Sequence, residues 1–141
     1  HGAAYSGYRP GDAATRNREA TGRMTAMLTE LAQGLADQLD AVGVKAVIDP
    51  RNARPPCAII QPPSFQIVGM ASNFLATFDY TISVVAPGPP NLDAITKLYD
   101  LVEKAVEGLN VSSGRPVTVT VGNQEYAGYE LTVTLTARKD D

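Results

Sequence analysis

The chain has 141 residues, of which 44% are hydrophobic and 19% charged, a composition typical of one globular domain. Twelve Lys and Arg against 15 Asp and Glu give a net charge of −3, which argues against a surface that coats nucleic acid. One cysteine and one histidine, the latter at position 1, exclude an intrachain disulfide framework, a clustered-thiol zinc site and the usual general base of a folded body. No apolar run approaches the roughly 20 residues that span a bilayer, so the sequence predicts a soluble chain with no membrane partner.

The first 23 residues are rich in glycine, alanine, arginine and small polar residues, and they show no apolar periodicity. Tyr5 and Tyr8 are their only large apolar side chains, too few to offset the entropy lost on ordering the segment. The apolar stretch of a signal peptide is also missing. The sequence predicts an N-terminal arm over residues 1–23 without its own core, either a loose tail or an arm held by a neighbouring subunit, and a single domain over residues 24–141.

An apolar stripe with helical spacing opens this domain. Apolar residues at positions i, i+3, i+4 and i+7 line one face of a helix, and the residues that follow this rule are Met24, Met27, Leu28, Leu31, Ala32, Leu35, Leu39 and Val42. Thr25 is the predicted N-cap, and Gly43 is the predicted left-handed C-terminal cap. Because only one face is apolar, we expect this helix to lie on a sheet.

Short apolar runs at residues 44–49, 57–61 and 65–68 are each predicted as a strand. Pro62-Pro63 ends the second run, since proline cannot donate a hydrogen bond to a β-ladder. The strongest β signal follows over residues 74–85, where apolar residues occupy every second position. Alternation over this length predicts a long antiparallel strand with one buried face.

A second amphipathic helix is predicted over residues 92–109, with Asn91 as its N-cap. Gly114 and Pro116 mark the exit from this helix. The predicted apolar stripe consists of Leu92, Ile95, Leu98, Tyr99, Val102, Ala105, Val106 and Leu109.

Two alternating runs close the chain, at residues 117–121 and 129–137, and they flank a turn over residues 122–128 that glycines bracket at both ends. This arrangement predicts a β-hairpin. The whole order predicts an α+β two-layer sandwich, a mostly antiparallel sheet with two amphipathic helices packed on one face. The residues expected to be buried are Leu28, Leu31, Leu35, Phe78, Tyr80, Ile82, Leu98, Val102, Val119, Leu131 and Val133.

Little in the sequence indicates catalysis. A nucleophilic mechanism needs a nucleophile, a base and an oxyanion site within reach of one another, and the only histidine is His1. Cys57 lies in an apolar run and is predicted to be a small buried hydrophobe, and Asp79 a solvated or salt-bridged strand residue. No glycine-rich phosphate loop is present. We therefore expect no catalytic, cofactor-binding or metal site and no enzyme activity, which leaves a binding or assembly role.

Three stretches of the chain resemble a known family: MTAMLTELAQGLADQLDAVGVKAVIDPRNARPPCAIIQPP, FDYTISVVAPGPPNLDAITKLYDLVEKA and YELTVTLTAR. They resemble tail terminator proteins of long, non-contractile-tailed (siphovirus-type) phages, and the likeness is strongest to those that infect actinobacteria. The resemblance covers about residues 24–139. It lies in the order of the predicted elements and in the local sequence rather than in a catalytic signature.

The resemblance implies a small α+β subunit that forms a six-fold ring at the head-proximal end of the tail tube. The ring stops addition of the major tail tube protein and joins the tail to the head-completion (neck connector) protein. The implied location is the virion, after assembly in the host cytoplasm. DNA enters only as cargo that passes through the lumen. Six copies at −3 each give a charge of −18, and the part of it that lined the lumen would repel DNA and let the genome slide. Two alternatives stay open: a head-closure or connector protein of the neck, and a small non-viral binding module.

A ring subunit needs contact surfaces rather than a pocket, because head-to-tail contacts between identical copies close the ring. Loops, arms and hairpin tips can supply such contacts. The predicted interface residues are therefore Tyr5, Tyr8 and Arg9 in the arm, Arg51, Asn52 and Arg54 in the proline-rich loop, and Asn123, Gln124 and Glu125 at the hairpin tip.

Overall fold

The first helix, α1, begins earlier than the apolar stripe predicts. The computed structural model describes residues 10–69 and 73–140, with side chains over 24–68 and 75–137, and α1 spans Pro10–Ala41. Thr25 therefore lies inside the helix, and its prediction as the N-cap was wrong. Residues 10–23 contain three Ala, three Arg and one Glu, which favour helix without an apolar face, and Pro10 suits the first helical position.

The C-terminal end of α1 is the one that the sequence predicts. Gly43 has a φ of +87°, a left-handed conformation that glycine adopts at no steric penalty. Its N–H donates to the Asp40 carbonyl at 3.1 Å, and the Val44 N–H donates to the Leu39 carbonyl at 2.9 Å. These bonds satisfy carbonyls that the last helical turn leaves open.

The described residues contain six strands: β1 (Ala46–Val47), β2 (Cys57–Ile60), β3 (Ser64–Gly69), β4 (Asn73–Val85), β5 (Val111–Val121) and β6 (Gln124–Asp140). They form one sheet, in which five of them follow the order β1-β2-β4-β6-β5, and β1–β2 is the one parallel pair among these strands. Because β6 pairs with every residue of β4, the other edge of β4 is left for β2 and β3. These two strands lie one after the other along that edge. The short strands that the sequence predicts are all present, although β1 is only two residues long.

The second helix, α2, spans Leu92–Gly108, and the Asn91 side chain caps it by accepting from the Ala94 N–H at 2.9 Å. α1 packs over β1 and β2, whereas α2 packs over β4 and β6 and also touches α1. Both helices thus cover the same face of the sheet. The α+β fold that the sequence predicts is confirmed.

The hairpin differs from its prediction in length. β5 begins at Val111 and runs through Pro116, which an edge strand tolerates. Gly122 has a φ of +64°, and this permits a two-residue loop of Gly122 and Asn123 in place of a loop over 122–128. Gln124 and Glu125 are therefore the first residues of β6, not part of the tip, so their assignment to the tip was wrong.

Most of the predicted core residues are buried, while Leu28, Leu31, Val102 and Val119 are only half-buried. The main core lies between the helices and the sheet. A second cluster on the opposite face of the sheet consists of Val47, Ala53, Cys57, Ile59 and Val85, with Val119, Val121 and Tyr126 packed against it. Within the described ranges, the helices are too short or too polar to cross a membrane.

Candidate interaction surfaces

The predicted loop residues Arg51 and Asn52 lie in a 3₁₀ turn, Pro50–Asn52, that follows β1. Asp49 caps this turn by accepting from the Arg51 N–H at 3.0 Å. Arg51 folds back onto the same carboxylate, with Nη2 at 2.7 Å from Asp49 Oδ2. The side-chain hydrogen bond from Arg51 lowers the pKa of Asp49, and it raises the pKa of Arg51 in turn.

Arg54 stabilises the part of the loop that follows the 3₁₀ turn. Its Nη1 donates to the Ala53 carbonyl at 2.9 Å and to the Arg51 carbonyl at 3.3 Å. Ala53 itself is buried in the second cluster, so the loop is anchored while both arginines face outward. Residues 45–54, here called the basic loop, carry Lys45, Arg51 and Arg54 against Asp49.

One apolar cluster connects the start of β6 and the basic loop. Tyr126, one residue after Glu125, and Ala53, one residue before Arg54, belong to the same apolar cluster. Gln124 and Glu125 are exposed at the start of β6, where Glu125 pairs with Thr120 of β5. Tyr5, Tyr8 and Arg9 lie outside the described residues.

An apolar patch that the sequence did not single out lies on one flank of α2. Leu92, Tyr99 and Val106 of the predicted stripe are 76%, 58% and 50% exposed, and we name these three residues the helix patch. At about 100° per residue, they lie on the side of α2 opposite Gly108, which faces Val42 of α1. The helix patch therefore points away from α1. Tyr99 also meets Tyr129 of β6 edge-on, with ring centroids 6.4 Å apart.

A second exposed apolar surface follows the border of the sheet at β1 and β3. It consists of Ile48, Phe65, Ile67 and Val68, which are 44–63% exposed, and we name it the edge patch. Ile48 also lines a groove of about 260 Å³, together with Pro62 and Pro63 and with Leu28 of α1. Phe65 packs against buried Phe78 of β4, with ring centroids 6.4 Å apart.

The two outer strands of the sheet are protected to different degrees. β5 carries Pro116 and the Arg115–Glu130 ion pair, with Nη2 and Oε1 2.7 Å apart, and proline and charge both discourage pairing with a further strand. β3 pairs with β4 alone among the described strands, and residues 64–69 contain neither proline nor charge. The β3 border is therefore the sheet edge that is suited to contact with another molecule.

Charge differs in sign around the two patches. The basic loop adjoins the edge patch, since Ile48 belongs to both. On α2, Glu103 and Glu107 lie about 20° and 60° from Leu92 around the helix axis, so two acids border the helix patch. Over its 17 residues, α2 carries four acidic residues and two lysines. One of the lysines, Lys104, pairs with Asp100, with Nζ and Oδ2 3.2 Å apart.

Cys57 and Asp79 were considered above as possible reactive residues, and the contacts of both are ones that stabilise the fold. Cys57 is fully buried in the second cluster, and burial raises the pKa of its thiol. Asp79 accepts a hydrogen bond from the Thr134 hydroxyl at 2.6 Å across the β4–β6 pair. The described side chains contain no group of three that could hold a metal ion.

Comparison with protein-family models and with curated proteins finds no match to this chain. The sequence missed both patches for one reason: periodicity marks apolar residues without separating those that face the sheet from those that face outward. A signal is nonetheless present. Leu92, Ile95, Tyr99, Val102 and Val106 alternate spacings of three and four, the repeat of a helix that packs against another helix.

Proposed function

We propose that this chain is a structural tail terminator of a long, non-contractile-tailed phage. In this role, copies of the chain form a ring at the head-proximal end of the tail tube, end tube growth and join the tail to the head. The observation that carries the proposal is the pair of exposed apolar patches on opposite flanks of one α+β body. A ring of identical subunits needs two different, complementary surfaces on each copy.

The mechanism that follows is one of surface complementarity without covalent chemistry. One ring face binds the last ring of the major tail tube protein, and the other lacks the elements that recruit a further tube ring. Asn123 at the hairpin tip and both arginines of the basic loop are exposed, so they are available for contacts along the ring axis. The neck connector protein binds the opposite ring face, and DNA passes through the lumen.

Two features support this function. The resemblance in sequence spans about residues 24–139, which includes α2 and most of α1 and the sheet. The unprotected β3 border offers an apolar contact strip rather than an enclosed ligand site. An exposed apolar strip of this kind suits binding to another protein.

The decisive experiment is tail length in phage particles produced without this chain, measured by negative-stain microscopy. Overlong, head-free tails are expected, because the tube continues to grow when nothing ends it. Expression of the wild-type chain in the same cells should restore the normal length. Tails of normal length beside unjoined heads would contradict a terminator and assign the chain to the neck as a connector.

A further inference from the structure

We infer that the edge patch of one copy binds the helix patch of the next copy, so that the ring is built from one repeated head-to-tail contact. This inference rests on the proposed function and names its partner surface, a second copy of this chain. Burial of Ile48, Phe65, Ile67 and Val68 against Leu92, Tyr99 and Val106 removes the exposed apolar side chains of both surfaces from water.

The charges around the patches favour contact between the two different patches over contact between two identical ones. If two helix patches met, Glu103 and Glu107 of both copies would come together, and like charges repel. Two edge patches would bring together Arg51 and Arg54 of both copies. Edge patch against helix patch instead places the basic loop of one copy beside the acids of its neighbour.

The position of the two patches determines the kind of assembly. The edge patch lies at the β1–β3 border, whereas the helix patch faces away from α1 on the other flank. Each copy therefore keeps one free surface after it binds a neighbour, and the contact repeats. A contact of this kind is heterologous, and it gives a closed ring where the rotation between copies closes.

Strand direction is compatible with a lateral contact between copies in the same orientation. The steps β3 to β4, β4 to β6 and β6 to β5 are each antiparallel, so β3 and β5 run in opposite directions. A neighbour in the same orientation, placed on the β5 side, therefore has its β3 antiparallel to β5, and side chains rather than strand pairing make the contact, since Pro116 and the Arg115–Glu130 pair discourage pairing there. Phe65 pairs with Phe78 and faces the helix side of the sheet, the side on which the neighbour's α2 lies.

Two variants, each defective in one patch, test the contact. Ile67→Asp/Val68→Asp disables the edge patch and Leu92→Asp/Val106→Asp disables the helix patch, and all four residues are half exposed or nearly so. Sedimentation should show that each variant alone associates about tenfold or more weakly than wild type. Their mixture should form a dimer and no larger species, because one intact patch of each kind is available. Gln33→Glu/Gln38→Glu on exposed α1 positions outside both patches adds the same two charges. It is the matched control and should associate like wild type.

A charge exchange gives an independent result. Arg51→Glu/Arg54→Glu should weaken association, and Glu103→Arg/Glu107→Arg added to the same chain should restore it. The two sets lie on opposite flanks of one copy, so restoration can only come from contact between copies. Circular dichroism and thermal melts of every variant separate loss of association from loss of the fold.

Several outcomes would overturn the inference. These are a wild-type chain that stays monomeric up to about 1 mM, a single-patch variant that still forms large species alone, or a control that fails as badly as the patch variants. The same experiments distinguish failure of the contact from failure of the proposed terminator function. Overlong tails without the chain, together with patch variants that assemble normally, would refute the contact alone. Normal tails without the chain, together with the dimer in the mixture, would refute the terminator role alone.

Discussion

Tyr80 connects the helix layer to the sheet through a single polar atom. The ring is buried in the main core, and its hydroxyl donates to the Leu28 carbonyl of α1 at 2.9 Å. Burial raises the pKa of the phenol, because the ionised form loses its hydration in the apolar surroundings. The same residue therefore contributes both a hydrogen bond and a pH dependence to the stability of the fold.

Tyr80→Phe should lower the free energy of unfolding by about 0.5–1.5 kcal/mol, the usual contribution of one internal hydrogen bond. In the wild type, the unfolded chain ionises Tyr80 near its ordinary pKa of about 10 while the folded chain still holds the proton. Stability is thus fully present below pH 10 and falls as the pH rises through the folded-state pKa. Urea titrations between pH 8 and 11 measure this dependence.

The control for this prediction is Tyr99→Phe, a change at an exposed phenol that leaves Tyr80 in place. This variant should keep the loss of stability above pH 10, while Tyr80→Phe should reduce it. Equal alkaline losses in both variants would show that Tyr80 is not the source of the effect.

At the scale of the elements, two glycines test how tightly the helices and strands are packed. A Cβ added at Gly34 in α1 meets no atom within 4 Å, whereas one added at Gly128 in β6 meets the Val84 carbonyl oxygen at 2.8 Å. Gly34→Ala should raise the free energy of unfolding by about 0.5–1 kcal/mol, since alanine favours helix. Gly128→Ala should lower it by about 1–3 kcal/mol, because the backbone of β4 must move.

Denaturant unfolding of both variants against wild type gives the two free energies. Because both substitutions add the same methyl group, a difference in sign isolates the effect of position. Stabilisation by Gly128→Ala would contradict the close approach of β6 to β4.

Much of this architecture can be predicted from the sequence because its signals are local. The alternation over residues 74–85 predicts β4, and the Asn91 cap predicts the start of α2 within one residue. The helical start at Pro10 could not be read from periodicity, because helix propensity alone extends α1 there. Pro116 was predicted to mark the exit from α2, and only the position of β5 at the sheet edge makes it acceptable within a strand.

The candidate surfaces were predictable to a smaller extent. A proline-rich and arginine-rich loop indicates an exposed segment, and Arg51 and Arg54 are indeed exposed. The exposure of Tyr99 and Val106 depends on which side of α2 meets α1 and the sheet. Tertiary packing, such as the approach of Gly108 to Val42, makes that choice. The spacing of three and four along α2 indicates a helix-packing surface but does not say which partner covers it.

For the molecule as a whole, charge and apolar content divide the chain at Met24. Residues 1–23 carry four arginines and two acids, a net +2, and residues 24–141 carry eight basic and 13 acidic residues, a net −5. The main core includes Met24 and Met27, while residues 10–23 contain no large apolar side chain. The fold should therefore draw its stability from residue 24 onward.

A chain shortened to residues 24–141 should fold and unfold cooperatively, with a Tm within about 4 °C of the full chain, because no large apolar side chain of the described core is removed. If Tyr5, Tyr8 and Arg9 contact a neighbouring subunit, the same chain should assemble into rings or particles less well than the full chain does. Thermal melts measure the first effect, and sedimentation with incorporation into particles measures the second. A further truncation to residues 36–141 is the control and should abolish cooperative unfolding, because it removes Met27 and Leu35 from the core. A large fall in the Tm of the 24–141 chain would show instead that the first 23 residues stabilise the domain itself.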